Sequence, residues 1–185
     1  MLNTKTMLQN VSKGQSSIPL RYIIQGLEND YNTLKSNIHI AYVNKQAGKA
    51  TIYFKVPSVS IPRLQYDCVF EFDDDEKITS NTEFKVYCNS PSFYFRYANI
   101  FKRYGSLLYP EKYPSFLDIP AEIRNASQVT GFDKYVYSCL RIATQLTVPE
   151  MIEKQESNSI PRISTFAEKQ TEYKRMRQTG HTQQD

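Results

Sequence analysis

The residues able to do metal or thiol chemistry are few in this chain of 185 residues: Cys68, Cys88 and Cys139, with His39 and His181 as the only imidazoles. Three widely spaced cysteines fit neither a disulfide framework nor a tetrahedral zinc site, which needs closely spaced ligand pairs. Buried free thiols in a reducing compartment are the expectation. The acidic run Asp73, Asp74, Asp75 and Glu76 could attract a hard cation. It lacks the spaced oxygens and the glycine of an EF-hand loop, however, and it falls where a hairpin needs a polar turn. His39 has no second histidine or acid at ligand spacing, so a structural or surface role is expected. No serine stands in a nucleophile elbow, and neither a glycine-rich phosphate loop nor a paired metal motif is present. The sequence therefore offers no catalytic residue, no metal site and no cofactor site, and a non-enzyme is expected.

Binding chemistry is better represented. Arg96, Lys102, Arg103 and Lys112 are interleaved with Tyr94, Tyr97, Tyr104, Tyr109 and Tyr113. Bases stack on aromatic rings while cations track phosphates, so this mixture is compatible with a single-strand platform. Several of the rings also belong to a helical stripe that a core would claim, leaving a solvated basic face. The net charge of +4, from 23 basic and 19 acidic residues, does not decide between the two. Two further stretches suit protein partners. Between Tyr109 and Ile123, Pro110, Pro114 and Pro120 forbid a long regular element, yet Tyr109, Tyr113, Phe116 and Leu117 are too apolar for a solvated linker. Near the C-terminus, Phe166, Tyr173, Arg175 and Arg177 lie in an amphipathic piece with Lys169 and Lys174, partly balanced by Glu168 and Glu172. That piece suits docking on an acidic protein surface, or a solvated tail.

The elements that must position these groups follow from periodicity. Alternation over Ile38–Val43 and Ala50–Val56, separated by Asn44–Lys49 with Ala47 and Gly48 in it, predicts one hairpin. Alternation over Tyr66–Phe72 and Phe84–Cys88 predicts a second; if Phe70 faces Val86 in it, Cys68 faces Cys88 on the same side. Ser90 followed by Pro91 marks a helix start, and Phe93, Tyr97, Ile100, Phe101 and Tyr104 supply its apolar stripe before Gly105 stops it. Thr130 and Asp133 resemble another helix start, for the stripe Phe132, Val136, Cys139, Leu140 and Ala143. A short helix is expected over Tyr22–Leu34. The expected architecture is α+β: a small antiparallel sheet of about four strands in two hairpins, covered by two or three helices, with extended arms. A flexible N-terminal arm is read over residues 1–17, a single domain over 18–148 and a polar, partly helical or extended tail over 149–185. Removing residues 150–185 should leave such a fold intact. Met1–Asn10 lacks the basic start and apolar stretch of a signal peptide, and no apolar run reaches the roughly 20 residues of a membrane span.

A polar arm, a tyrosine-rich β meander, two helices and a proline-punctuated extension together resemble the small virion and assembly proteins of tailed bacteriophages. The stretch Asn89-Ser90-Pro91-Ser92-Phe93-Tyr94-Phe95, continuing to Arg124-Asn125, carries the likeness furthest. The resemblance implies a structural role in a head, neck or tail assembly, in the host cytoplasm during assembly and then in the virion. Its implied partners are other virion proteins or copies of the chain itself within an oligomer, with possible contact with nucleic acid and no membrane. Two alternatives stay open at this point: a phage single-strand-binding or replication accessory protein using Arg96, Lys102, Arg103 and Lys112, and a small intracellular inhibitor of a host protein.

Overall fold

The computed structural model describes residues 1–14, 20–114 and 132–181. A helix α1 (Thr4–Gly14) and a helix α2 (Leu20–Leu34) precede four strands, β1 (His39–Gln46), β2 (Lys49–Pro57), β3 (Gln65–Phe72) and β4 (Phe84–Cys88). The strands form one antiparallel sheet in the order β1-β2-β3-β4. Ala47 and Gly48 make the first turn, with Gly48 at φ +75°, a left-handed value that glycine adopts without a Cβ penalty. The second hairpin has the expected register, Phe70 opposite Val86 and Cys68 opposite Cys88. After β4 a helical stretch runs through α3 (Pro91–Phe93), a π-helical turn (Tyr94–Ala98) and α4 (Asn99–Arg103). Then come α5 (Lys134–Gln145), α6 (Val148–Lys154) and α7 (Phe166–His181). No helix among the described residues is long and apolar enough to cross a membrane.

One sheet face is largely apolar. Ile52, Phe54, Val56, Tyr66, Cys68, Phe70, Phe72, Phe84, Val86 and Cys88 alternate along the strands and are all buried. Phe70 stacks on Phe72 with centroids 5.3 Å apart and meets Phe84 and Phe54 edge-on, each buried ring contributing about 1.5–3 kcal/mol. Helix α5 lies over this face, its Tyr135 ring 5.0 Å from Tyr66. Helix α2 packs against α5 through Leu27, Tyr31 and Leu34, with Tyr31 donating to Gln145 Oε1 at 2.9 Å.

Part of each sheet edge is covered by the chain itself, which satisfies backbone groups that would otherwise template pairing with another molecule. A β-bulge between Ile40 and Tyr42 bends β1, and the Ile40 and Ala41 carbonyls accept the N–H groups of Glu156 and Ser157 at 3.0 Å each. Along β4, Phe84 N–H donates to Leu2 O at 2.9 Å, and Val86 exchanges bonds with Ser106 and Leu108.

The ends differ from the expected arms. Residues 4–14 are helical, and Leu2 and Met7 are buried, because Leu2 pairs with the β4 edge. A boundary at residue 148 falls at the first residue of α6, where Val148 and Met151 are fully buried and Thr147 closes a capping box with Glu150. Cutting at 150 would therefore open the core. The helix after Ser90 starts as expected, with Ser90 Oγ accepting from Phe93 N–H at 3.2 Å, and ends at Gly105, φ +66°. Its stripe is shifted, though. The π turn adds a residue, so Tyr94 and Ala98 turn inward and Tyr104 is left 50% exposed. The second helix is capped by Asp133 itself; Thr130 lies outside the described residues.

Candidate docking site

On the sheet's second face the side chains form three cross-strand ranks. Thr51, Glu71 and Lys85 make a polar rank; Tyr42, Tyr53, Val69 and Tyr87 make an aromatic one; Lys55, Asp67 and Asn89 make another polar one. Asp67 is 2% exposed and has every acceptor engaged: Oδ1 pairs with Lys55 Nζ, and Oδ2 accepts from Asn89 Nδ2 at 2.9 Å and from Ser164 N–H at 3.0 Å. Ser164 O in turn accepts from Asn89 Nδ2 at 3.0 Å and from the Tyr87 hydroxyl at 2.6 Å. A buried carboxylate tolerates loss of water only with such a full set of partners. The network pins the segment leading to α7 onto β3 and β4.

From that seat α7 is built outward. Thr165 and Glu168 form a capping box, Glu168 N–H donating to Thr165 Oγ1 at 3.2 Å and Thr165 N–H to Glu168 Oε2 at 2.8 Å. Phe166 is buried, its ring stacked 3.9 Å from Tyr94 and edge-on to Phe95 at 5.9 Å. Tyr173 and Met176 are half-buried against the core. Lys169 lies inward and pairs with Glu172 at 2.8 Å. The rest of the helix is polar, and its last two described turns expose Lys174, Arg175 and Arg177. Arg177 lies over the Tyr173 ring at 5.7 Å and donates to its hydroxyl at 3.2 Å. Cations at this end also complement the helix dipole.

The other predicted partner-binding residues are placed as follows. Tyr113 is buried: its hydroxyl donates to Cys88 O at 2.8 Å and accepts from Cys88 N–H at 3.1 Å, closing part of the β4 edge. Tyr109 is half-buried, 5.9 Å from Tyr87 and with its hydroxyl 3.4 Å from that of Tyr53. It has φ +52°, a left-handed conformation costly for a tyrosine and held by these contacts and the following Pro110. Tyr113 and Phe166 thus serve the chain's own interior, a correction to their reading as partner contacts: each ring sits in a cluster built from several elements. Phe116 and Leu117 lie outside the described residues.

The four candidate nucleic-acid cations are distributed over three elements, the π turn, α4 and the turn Pro110–Lys112. Lys102 and Arg103 are exposed at the end of α4 beside Tyr104, and Lys112 sits 6.0 Å from the Tyr109 ring centroid. Arg96 lies at a cleft of about 320 Å³ with Leu27, Asp30, Ser92, Tyr97, Phe132, Asp133 and Lys134. Asp133 is buried there, accepting from Tyr135 N–H, Val136 N–H and the Ser92 hydroxyl. Burial outweighs these bonds and raises its carboxyl above the ordinary value. Because the aromatic rank on the sheet is covered by Tyr109, Tyr113 and Ser164, Tyr53 and Tyr87 are buried and present no open stacking surface.

Sequence reasoning found α7's cations from composition. It missed Asp67, Asn89 and Ser164, which are far apart in sequence and carry no local motif. Comparison with protein-family models, with curated proteins and with solved structures gives no match.

Proposed function

We propose that the chain is a non-enzymatic structural or assembly protein of a tailed-bacteriophage particle, joining neighbouring subunits by docking the exposed cationic end of α7 on an acidic protein surface. One observation carries this reading: a buried polar network, Asp67–Asn89–Ser164, fixes a helix whose outer half is polar and cationic. A mostly polar helix has little core of its own to bury, so anchoring it rigidly presents its outer face with little ordering cost left to meet on binding. The covered part of each sheet edge agrees, since backbone groups already paired there favour association through side chains. The phage setting rests on the resemblance of the sequence.

The test is a Lys174→Glu, Arg175→Glu double variant. It should keep the wild-type Tm within about 2 °C, as exposed substitutions usually do. Incorporation into particles should fall at least roughly tenfold, and raised salt should weaken the wild-type contact. Undiminished incorporation of a folded double variant would refute the docking role. The exposed Lys102, Arg103 and Tyr104 tip favours a second reading, single-strand binding. A salt-dependent oligonucleotide shift abolished by Lys102→Glu with Arg103→Glu would support that reading instead.

A further inference from the structure

Cys68 and Cys88 stand directly opposite each other on β3 and β4, with their sulfur atoms 3.1 Å apart and both side chains fully buried. The hydrogen-bond pattern fixes which kind of pair they form. Asn89 N–H donates to Asp67 O, and Asp73 N–H to Glu83 O, so the odd-numbered β3 positions make the hydrogen-bonded pairs of this ladder. Cys88 instead turns its backbone N–H and carbonyl outward to the Tyr113 hydroxyl, as Val86 turns its own to Ser106 and Leu108. Cys68 and Cys88 are therefore a non-hydrogen-bonded pair, the class with Cα atoms about 4.5 Å apart and side chains closest together. That separation lies inside the span a disulfide bridges. Cys139 of α5 approaches Cys68 from the helix layer, but it has no such backbone pairing.

We propose that Cys68 and Cys88 are a dithiol site that closes to a cross-strand disulfide when local opening admits a low-molecular-weight disulfide oxidant, Cys139 remaining a thiol. In the balanced step each of the two thiols gives up one proton and one electron as the S–S bond forms. The S–S bond of oxidised glutathione breaks, and its two sulfurs take up those electrons and protons as two thiols. The bond would tie β4, whose outer edge is held by loop segments and Leu2 among the described residues, to the inner strand β3. Burial raises all three thiols above their ordinary range, so exchange is slow while the fold is closed and the pair persists as thiols in a reducing compartment. This inference is independent of the assembly role.

The experiment holds the full-length protein with excess oxidised glutathione at pH 8, in enough urea to admit the reagent, until the thiol count is constant. Alkylation under denaturing conditions and peptide mapping then locate the bond. The expected product is a monomer that has lost two hydrogens, joined between the Cys68 and Cys88 peptides, with Cys139 alkylated. Its Tm should exceed that of the reduced protein by roughly 5–10 °C. A Cys139→Ala variant should give the same bond, which separates the pair from a three-thiol exchange. Three alkylated cysteines at the end point, a bond to Cys139, or a bond between two chains would each overturn the proposal.

Discussion

Asp133 and Glu28 are carboxyls whose surroundings shift them in opposite directions. Asp133 caps α5 and also accepts from Ser92, yet burial dominates and raises its carboxyl. Its folded-state value lies above the unfolded one, so the neutral acid is favoured in the fold and stability falls as pH rises through that window. Asp133→Asn keeps an acceptor for the cap; it should change neutral-pH stability by less than about 1 kcal/mol and remove this pH dependence. Asp133→Ala loses the cap and should cost about 1–2 kcal/mol in urea unfolding. Glu28 behaves the other way. Burial raises it, but the Tyr137 and Arg141 bonds outweigh burial and hold it below its ordinary 4.5. Its contribution is present above the unfolded value and is lost as pH falls through the folded one. Glu28→Gln should destabilise the α2–α5 contact by about 1 kcal/mol at pH 7 and flatten the acid limb of a stability profile below roughly pH 4.5. An unchanged acid limb would refute the assignment.

Elements were legible where their period is local. The β meander declared itself because alternating residues such as Cys68, Phe70 and Phe72 face one layer, and the turn chemistry at Gly48 fixed the first hairpin. The start of α3 was equally plain, from Ser90 and Pro91. Three features were not legible. The π turn depends on which of Tyr94 and Tyr97 the core accepts, a tertiary choice. The helical, buried N-terminus depends on Leu2 finding the β4 edge. The C-terminal strap depends on Asp67, a polar residue in an alternating strand, whose importance comes from Ser164, 97 positions away. The candidate docking site was half visible: Lys169, Lys174, Arg175 and Arg177 stood out as a basic cluster, while the network holding their helix did not. Asp67→Ala strands Lys55, Asn89 and the Ser164 N–H and should cost roughly 2–4 kcal/mol, loosening α7 first. Hydrogen exchange should then show α7 amides losing protection ahead of the sheet. Simultaneous loss throughout would mean that the strap and sheet form one cooperative unit.

At the scale of the whole molecule, most of the described tyrosines and phenylalanines build the interior, with Tyr22 and Tyr104 exposed. Burial raises the phenols of Tyr53, Tyr87, Tyr113, Tyr135 and Tyr137 and pushes Tyr66 and Tyr94 up to about 12. A spectrophotometric titration should leave these groups protonated until alkaline unfolding releases them together. With most described rings inside, the proposed contacts with other molecules fall to the exposed cations of α7 and the α4 tip. Quantitative mass spectrometry of purified particles tests the proposed role most directly. The expected result is this chain at a fixed, integral ratio to the major particle proteins, retained through salt-free banding and lost on charge reversal at Lys174 and Arg175. Its absence from particles, in cells where it is abundant, would contradict the assembly role.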